Sequence, residues 1–332
     1  MNNFLIIFFL LFSIFTHASS YEFSVMTLNV QNLFDTLDDP KKDDKAYLPI
    51  KKKQSEEHQK SCENINVKSW RDECMFMDWS EETKDIKLRN LVKNIISYDN
   101  VGPDVLGLQE VENLNILRQL FNLLEPYGYR DYVLLESNDY RGIDTAIVSK
   151  YKILKSKLHY INFSGKFSEK DTRPILESTL LINNKNVRFY NVHFPSGFYD
   201  VSMRIDSLKT LKKLKNNQDL PTIAFGDFNV NSKEDNKYNI YESQQDTWEV
   251  AHIYGCENCK GSFFYNYGKS WDFLDSIFVS KKDNLRFKSN SINIHRTNFN
   301  SYSDTGKPIK FNAYKKKGVS DHLPMVAVIE LN

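Results

Sequence analysis

The chain has 332 residues, of which 41% are hydrophobic and 26% charged, with a formal net charge of +1. That is the balance of a soluble globular protein, long enough to bury a sizeable core without staples. The near-zero net charge excludes a strong global field drawing in nucleic acid or an anionic membrane. Local basic clusters at Lys51–Lys53, Lys212–Lys213 and Lys315–Lys317 read as solvated surface and still permit a polyanionic substrate.

Phe4 to Phe15 is nearly all apolar and is followed by Thr16-His17-Ala18-Ser19-Ser20. The run is too short to span a bilayer of roughly 30 Å but fits the core of a signal peptide cleaved after Ala18 or Ser20. Residues 1–20 are therefore expected to direct export, leaving a secreted or periplasmic protein with no stable membrane association. The remainder, 21–332, shows no repeat and no clean boundary and reads as one domain. Its four cysteines are Cys62, Cys74, Cys256 and Cys259. An even count in an exported chain favours disulfides, and the simplest pairing is local, Cys62 with Cys74 and Cys256 with Cys259. A four-thiolate zinc site is the rival. Cys256-x-x-Cys259 suits it, but Cys62 and Cys74 are too widely spaced for a second knuckle.

In chain order, Phe23–Val30 reads as a strand. Residues 38–78 are highly charged, lack periodicity and carry the first cysteine pair; they read as a long inserted loop. Ser80 caps a helix with an apolar stripe from Ile86 to Ile96. Asp104–Gln109 is a buried strand and Asn113–Leu124 a second amphipathic helix. Strands follow at Tyr132–Glu136, Thr145–Ser149, Leu176–Ile182 and Val187–Phe194. Met203–Leu214 is a helix, and further strands run at Thr222–Phe225, Phe273–Val279 and Met325–Leu331. Helices and strands mix throughout, as in one layered α/β domain.

Several apolar strands end in a polar residue: Asn29, Glu110, His193, and Asp227 with Asn229 just beyond. Residues that close strands gather along one rim, where loops leave a sheet and build sites. Asp275 is different, because period-two alternation puts it on the face of Phe273 and Ile277. A carboxylate on an apolar face needs a partner. His322, in Ser320-Asp321-His322, is the candidate. Glu110, Asp227 and Asp321, with amide oxygens from Asn29 and Asn229, form a hard, oxygen-rich set that suits Mg2+, Mn2+ or Ca2+. Carboxylates, metal and histidines together suit attack of water on phosphorus.

These residues resemble the endonuclease/exonuclease/phosphatase superfamily, which includes deoxyribonuclease I, inositol-phosphate phosphatases and neutral sphingomyelinases. The matching segments are Thr27-Leu28-Asn29-Val30, Leu108-Gln109-Glu110-Val111, Asn191-Val192-His193, Gly226-Asp227-Phe228-Asn229, Leu274-Asp275-Ser276-Ile277-Phe278 and Ser320-Asp321-His322, all in family order. The resemblance implies a four-layer α/β sandwich of two packed mixed β-sheets flanked by helices. It implies Glu110 as the main metal ligand, with Asn29 and Asp321, and Mg2+ as the expected ion. Asp227 would orient or deprotonate the attacking water, with Asn229 beside it. His193, and His322 held by Asp275, would stabilise the transition state or transfer protons. Arg173 and Tyr140 are the nearest matches to phosphate-contacting positions. Arg141 and Asp144 could share the wall of the cleft with Tyr140. The implied activity is phosphoric ester hydrolysis, with nucleic acid the preferred substrate expectation. Inositol phosphates, sphingomyelin and a non-catalytic binding role are the alternatives.

Overall fold

A computed structural model describes residues 20–217, 219–256 and 259–332. The expected signal peptide therefore lies outside the described residues, apart from Ser20. The strands are β1 (Tyr21–Leu33), β2 (Val105–Val111), β3 (Asp131–Leu134), β4 (Asp144–Ser149) and β5 (Lys152–His159). They continue with β6 (Ile175–Ile182), β7 (Lys185–His193), β8 (Thr222–Asp227), β9 (Trp248–Val250) and β10 (Phe263–Tyr265). The last five are β11 (Ser270–Asp272), β12 (Asp275–Ser280), β13 (Leu285–Phe287), β14 (Asn293–Ile294) and β15 (Met325–Leu331). The α-helices are α1 (Glu56–Glu63), α2 (Lys68–Phe76), α3 (Glu81–Ile96), α4 (Leu114–Leu124), α5 (Val201–Asn216), α6 (Ser232–Tyr238) and α7 (Ala251–Gly255).

One sheet runs β13–β15–β1–β2–β4–β3, with β14 also on β15; the other runs β5–β6–β7–β8–β12–β9. In each sheet one pair is parallel, β1 with β2 and β7 with β8. Parallel neighbours need a crossover; here α3 and α5 lie in those connections. Alternation along β1 decides the layers. Phe23 and Val25 point into a core shared with Leu180, Phe189, Ile223 and Ile277 of the second sheet. Met26 and Leu28 point the other way, onto Leu88, Leu91 and Ile95 of α3 and Leu117 and Leu120 of α4. Tyr190, Val192 and Ala224 on the far side of the second sheet meet Met203, Leu208 and Leu211 of α5. The result is the expected helix–sheet–sheet–helix sandwich.

Toward one end the inter-sheet core turns polar. Thr27 Oγ1 donates to Gln109 Oε1 (3.3 Å), and Gln109 Nε2 donates to Asn191 Oδ1 (2.7 Å). Asn191 Nδ2 donates to the carbonyls of Leu108 and Ala146 (3.0 and 2.8 Å). This satisfied network ties the two sheets together beneath the rim that carries the strand-end residues. Gly107 faces the core there because a Cβ would lie 1.5 Å from the Phe225 ring.

The segment 38–78 is folded rather than a loop. Ser55 caps α1 by accepting from the His58 amide, and Glu56 and Glu57 favour its positive end. The Cys62–Cys74 disulfide then bridges α1 to α2, and Cys256–Cys259 closes the turn after α7, with Cα separations of 5.6 and 5.4 Å. Both are the local pairings. The insertion seats Tyr47 in a small cluster of Phe34, Met77, Trp79 and Phe311. Among the described residues no helix is long and apolar enough to cross a membrane.

Candidate active site

β7, β8 and β12 lie side by side, and their register pairs His193 with Asp227 and Asp227 with Asp275. Three of the expected residues thus stand in one row, at the strand spacing of about 4.8 Å. The facing sheet supplies Asn29, whose Nδ2 donates to Asp227 Oδ2 at 3.1 Å. Asn229, held at φ 53°, donates its backbone N–H to Asp227 Oδ1 at 2.9 Å, while its side chain donates to the Phe194 carbonyl at 3.0 Å. Both Asp227 oxygens are therefore fixed.

Asp275 is fully buried and its Oδ2 lies 2.6 Å from His322 Nδ1. The segment carrying His322 is fastened by Ser320, whose hydroxyl donates to the Asn29 carbonyl (2.6 Å) and accepts from the His322 amide (3.1 Å). Glu110 sits at a register shift in β2 with φ 67°. Its Oε2 accepts from the Asn32 amide at 2.9 Å, and its Oε1 lies 3.9 Å from His193 Nε2. That nitrogen is also 3.7 Å from Asp227 Oδ2.

The two histidines are driven apart in charge. Burial works against a charged His322, but Asp275, then Asp227 and Asp321, outweigh it and hold its pKa at about 10. His193 goes the other way. Burial, with the positive charges of Arg173, Arg141 and His322, pushes it well below its ordinary value. Burial and the neighbouring Asp275 lift Asp227 to about 7. Burial likewise raises Asp321, against the pull of His322. One imidazolium, one neutral imidazole and a carboxyl group balanced near neutrality share one pocket, the pattern of an acid–base site.

Asn29, Glu110 and Asp321 are the residues on the other side of this pocket that could hold a cation. All three offer hard oxygens, and the Glu110 charge raises the Asp321 carboxyl. Asp227, Asp275 and His322 also cluster within 4.8 Å. There, however, Asp275 is committed to a charged imidazolium, which cannot ligate a metal.

Arg173 is buried, with Nε and Nη2 donating to the His193 and Phe194 carbonyls (3.2 Å each) and Nη1 3.4 Å from Asp139. Its donors fasten the end of β7. Tyr140 is 69% exposed, and its carbonyl accepts from the Asp43 amide at 2.9 Å. Arg141 Nη2 donates to Asn32 Oδ1 at 2.9 Å, and Asp144 is buried with both oxygens accepting from the Ser137 amide. Two residues had no sequence signal. Lys87 of α3 is fully buried, its ammonium 4.6 Å over the Phe311 ring and in the fields of Asp321 and Glu110; burial lowers it to about 7. Tyr47, from the insertion, stacks on Phe34 at 4.0 Å and feels the charges of Arg141 and Glu110.

A two-sheet α/β sandwich with carboxylates, amides and paired histidine along one rim is the architecture of a class of phosphoesterases. The chain belongs to the endonuclease/exonuclease/phosphatase family, whose model matches residues 72–331. Its members are phosphoesterase hydrolases that generally use divalent metals. A family protein from Bacteroides thetaiotaomicron superposes with a TM-score of 0.57 at 17% identity, covering 95% of this chain and 99% of that one. D. rerio TDP2 in complex with a single-strand DNA product gives 0.55 at 14% identity, covering 93% and 98%. A mannosyl-6-phosphatase from Bacteroides thetaiotaomicron gives 0.55 at 17% identity, covering 92% and 99%. These likenesses concern the fold. No curated protein sequence matches the chain.

Proposed function

We propose that the protein is an exported, divalent-metal-dependent phosphodiesterase acting on nucleic acid. The observation that carries the reading is the buried Asp275–His322 pair, 2.6 Å apart, in register beside Asp227. It keeps a positive charge where a pentacoordinate phosphorus would accumulate negative charge. Glu110, Asn29 and Asp321 would hold the cation, which when bound supplies charge neutralisation at the phosphoryl oxygens. Asp227, with both oxygens oriented by Asn29 and Asn229, is set to align a water and take its proton. His193, neutral, hydrogen-bonds the phosphoryl group.

Nucleic acid is favoured by the rim. The loop after His193 carries Phe198, 94% exposed, and the β10–β11 hairpin before Asp275 carries Tyr267, 92% exposed. Aromatic faces beside a phosphate site suit unpaired bases. The first loop is held rigid by fully buried Arg204, which donates to the Pro195, Ser196 and Tyr199 carbonyls and pairs with Glu234. The TDP2 complex with single-strand DNA supports the same substrate class, whereas the mannosyl-6-phosphatase supports a phosphomonoesterase as the second reading. Two disulfides and the apolar N-terminal run favour export.

The test is hydrolysis by the purified protein with Mg2+, Mn2+ or Ca2+ of single- and double-stranded DNA, RNA, hexose phosphates, inositol phosphates and sphingomyelin. Cleavage of DNA or RNA, lost with EDTA and in Glu110→Ala and His322→Ala, is the expected result. Turnover of a monoester alone moves the assignment to the second reading. Activity that survives both substitutions overturns the site.

A further inference from the structure

We infer that the insertion and the segment 310–314 together form a base-recognition subsite beside Glu110, built to take an unpaired guanine. It rests on the nucleic-acid reading above and adds a base preference to it. The subsite is a recess of about 130 Å3 whose lining includes Asn32, Tyr47, Glu73, Lys310, Phe311 and Tyr314. It adjoins the catalytic pocket through Asn32, whose amide donates to Glu110 Oε2 at 2.9 Å. The charges of Glu110 and Asp321 also reach Tyr47. Neither the Phe198 loop nor the β10–β11 hairpin lines the recess, so it offers a contact separate from theirs.

The frame of the recess is fixed. Gln31 Nε2 donates to the Phe311 carbonyl (3.2 Å) and Gln31 Oε1 accepts from the Phe311 amide (2.8 Å), tying the segment 310–314 to β1. Glu73 comes from α2, where it precedes the disulfide-bonded Cys74, and its carbonyl accepts from the buried Lys53 ammonium at 3.1 Å. The polar ends, by contrast, are free. Among the described residues, the Glu73 carboxylate, the Lys310 ammonium and the Tyr47 and Tyr314 hydroxyls form no hydrogen bond or ion pair. They are nevertheless neighbours: the Lys310 charge acts on Glu73, and the Glu73 charge acts on both hydroxyls. A few polar groups that converge without bonding one another, set among aromatic rings, are the makings of a ligand site.

The chemistry of these groups selects the ligand. A carboxylate accepts paired N–H donors, an ammonium donates to a carbonyl oxygen, and an aromatic face takes a flat ring. Tyr314 is 62% exposed, and its ring stacks on no other ring among the described residues. Guanine is the base whose pairing edge sets the N1–H and 2-amino donors side by side, next to the O6 acceptor. Glu73 accepts from both donors, Lys310 donates to O6, and Tyr314 stacks on the ring. Adenine and cytosine turn a bare ring nitrogen toward the carboxylate, and thymine and uracil flank their one N–H with two carbonyls. Because the pairing edge is what is read, the base must be unpaired.

The experiment uses the full chain carrying His322→Ala, which disables turnover and lies outside the recess, with Mg2+ at constant ionic strength. Fluorescence anisotropy gives Kd for a short thymine-only DNA strand and for the same strand carrying one central guanine, hypoxanthine, adenine or cytosine. Guanine should tighten binding about tenfold over the other three standard bases, and hypoxanthine, which lacks the 2-amino group, should lose most of that gain. Adding Glu73→Gln should erase the guanine preference while leaving Kd for the thymine strand within about twofold. Glu73 is exposed, so an unchanged Tm should accompany that result. Adding Tyr314→Ala should weaken the guanine strand about tenfold. Equal Kd for all five strands, or a guanine preference that survives Glu73→Gln, overturns the subsite. Strands that bind without base preference, and that the wild-type chain cleaves, leave the nucleic-acid reading intact while removing the subsite. A chain that neither binds nor cleaves any strand overturns both.

Discussion

Replacing Asp275 by Asn keeps the shape of the buried acid and removes its charge. In the wild type, burial disfavours the His322 imidazolium, yet Asp275 at 2.6 Å, with Asp227 and Asp321 beyond, holds its pKa at about 10. Without the Asp275 charge, burial should prevail and bring His322 down by at least about three units, on the order of 4 kcal/mol in the charged form. The assay is an NMR titration of the His322 ring in metal-free protein. The wild-type ring should stay protonated from pH 5 to about 9, and the Asp275→Asn ring should titrate near or below neutrality. The stability sign follows. A folded pKa above the unfolded value gives stabilisation that is complete below about pH 6.5 and lost as pH rises through about 10. That alkaline loss should vanish in the variant. With metal and substrate, kcat/KM at pH 8 should fall roughly 100- to 1000-fold and recover partly as pH is lowered. A wild-type His322 that titrates between pH 6 and 7 would refute the reasoning.

Three other substitutions test the frame around the site. Arg204→Met strips three backbone carbonyls and Glu234 of their partner; a loss of about 4 kcal/mol, seen calorimetrically as a Tm drop of roughly 10 °C, is expected. A drop under about 3 °C would mean that the loop does not depend on it. Gly107→Ala should destabilise by on the order of 3 kcal/mol through the Phe225 ring, and Phe225→Leu on the same chain should recover part of that loss; additive effects in denaturant unfolding would contradict the packing argument. Phe198→Ala should leave Tm and kcat unchanged while raising KM for single-stranded DNA about tenfold, as loss of one stacked base implies. An unchanged KM removes that ring from substrate binding.

Much of this site was legible because it depends on short apolar strands. The runs ending at Asn29, His193 and Asp227 are strands in the structure, and alternation alone turned Asp275 inward toward a histidine. The insertion was not legible, because its helices bury little apolar surface. In α1 only His58 and Cys62 are buried, so capping and the disulfide, rather than periodicity, account for the fold. Lys87 was invisible for a related reason. A lysine in an amphipathic helix reads as solvated, and only the return of residues 311 and 319 to α3 encloses it. The edge strand β5 was missed because none of its residues is buried and it is lysine-rich.

Glu110 shows why a strand-end position is not yet a site position. Leu106 and Leu108 face the helical layer, and so does Val111, although regular alternation would assign that face to residue 110. The register shift between Gln109 and Val111 accounts for the mismatch. One extra residue is inserted, Val111 takes the helix-facing place, and Glu110, at φ 67°, is released to the rim. Its partner strand bulges further, with two extra residues between Asn29 and Leu33, where Gln31 and Asn32 hold φ of 55° and 56° and the Asn32 amide meets the Glu110 carboxylate. Left-handed backbone at non-glycine positions is unfavourable by itself. Here it is concentrated at paired bulges and at Asn229, whose amide orients Asp227. Strand order brings the acids to one end of the sandwich, and it is these local departures from the pleat that turn them toward a common point.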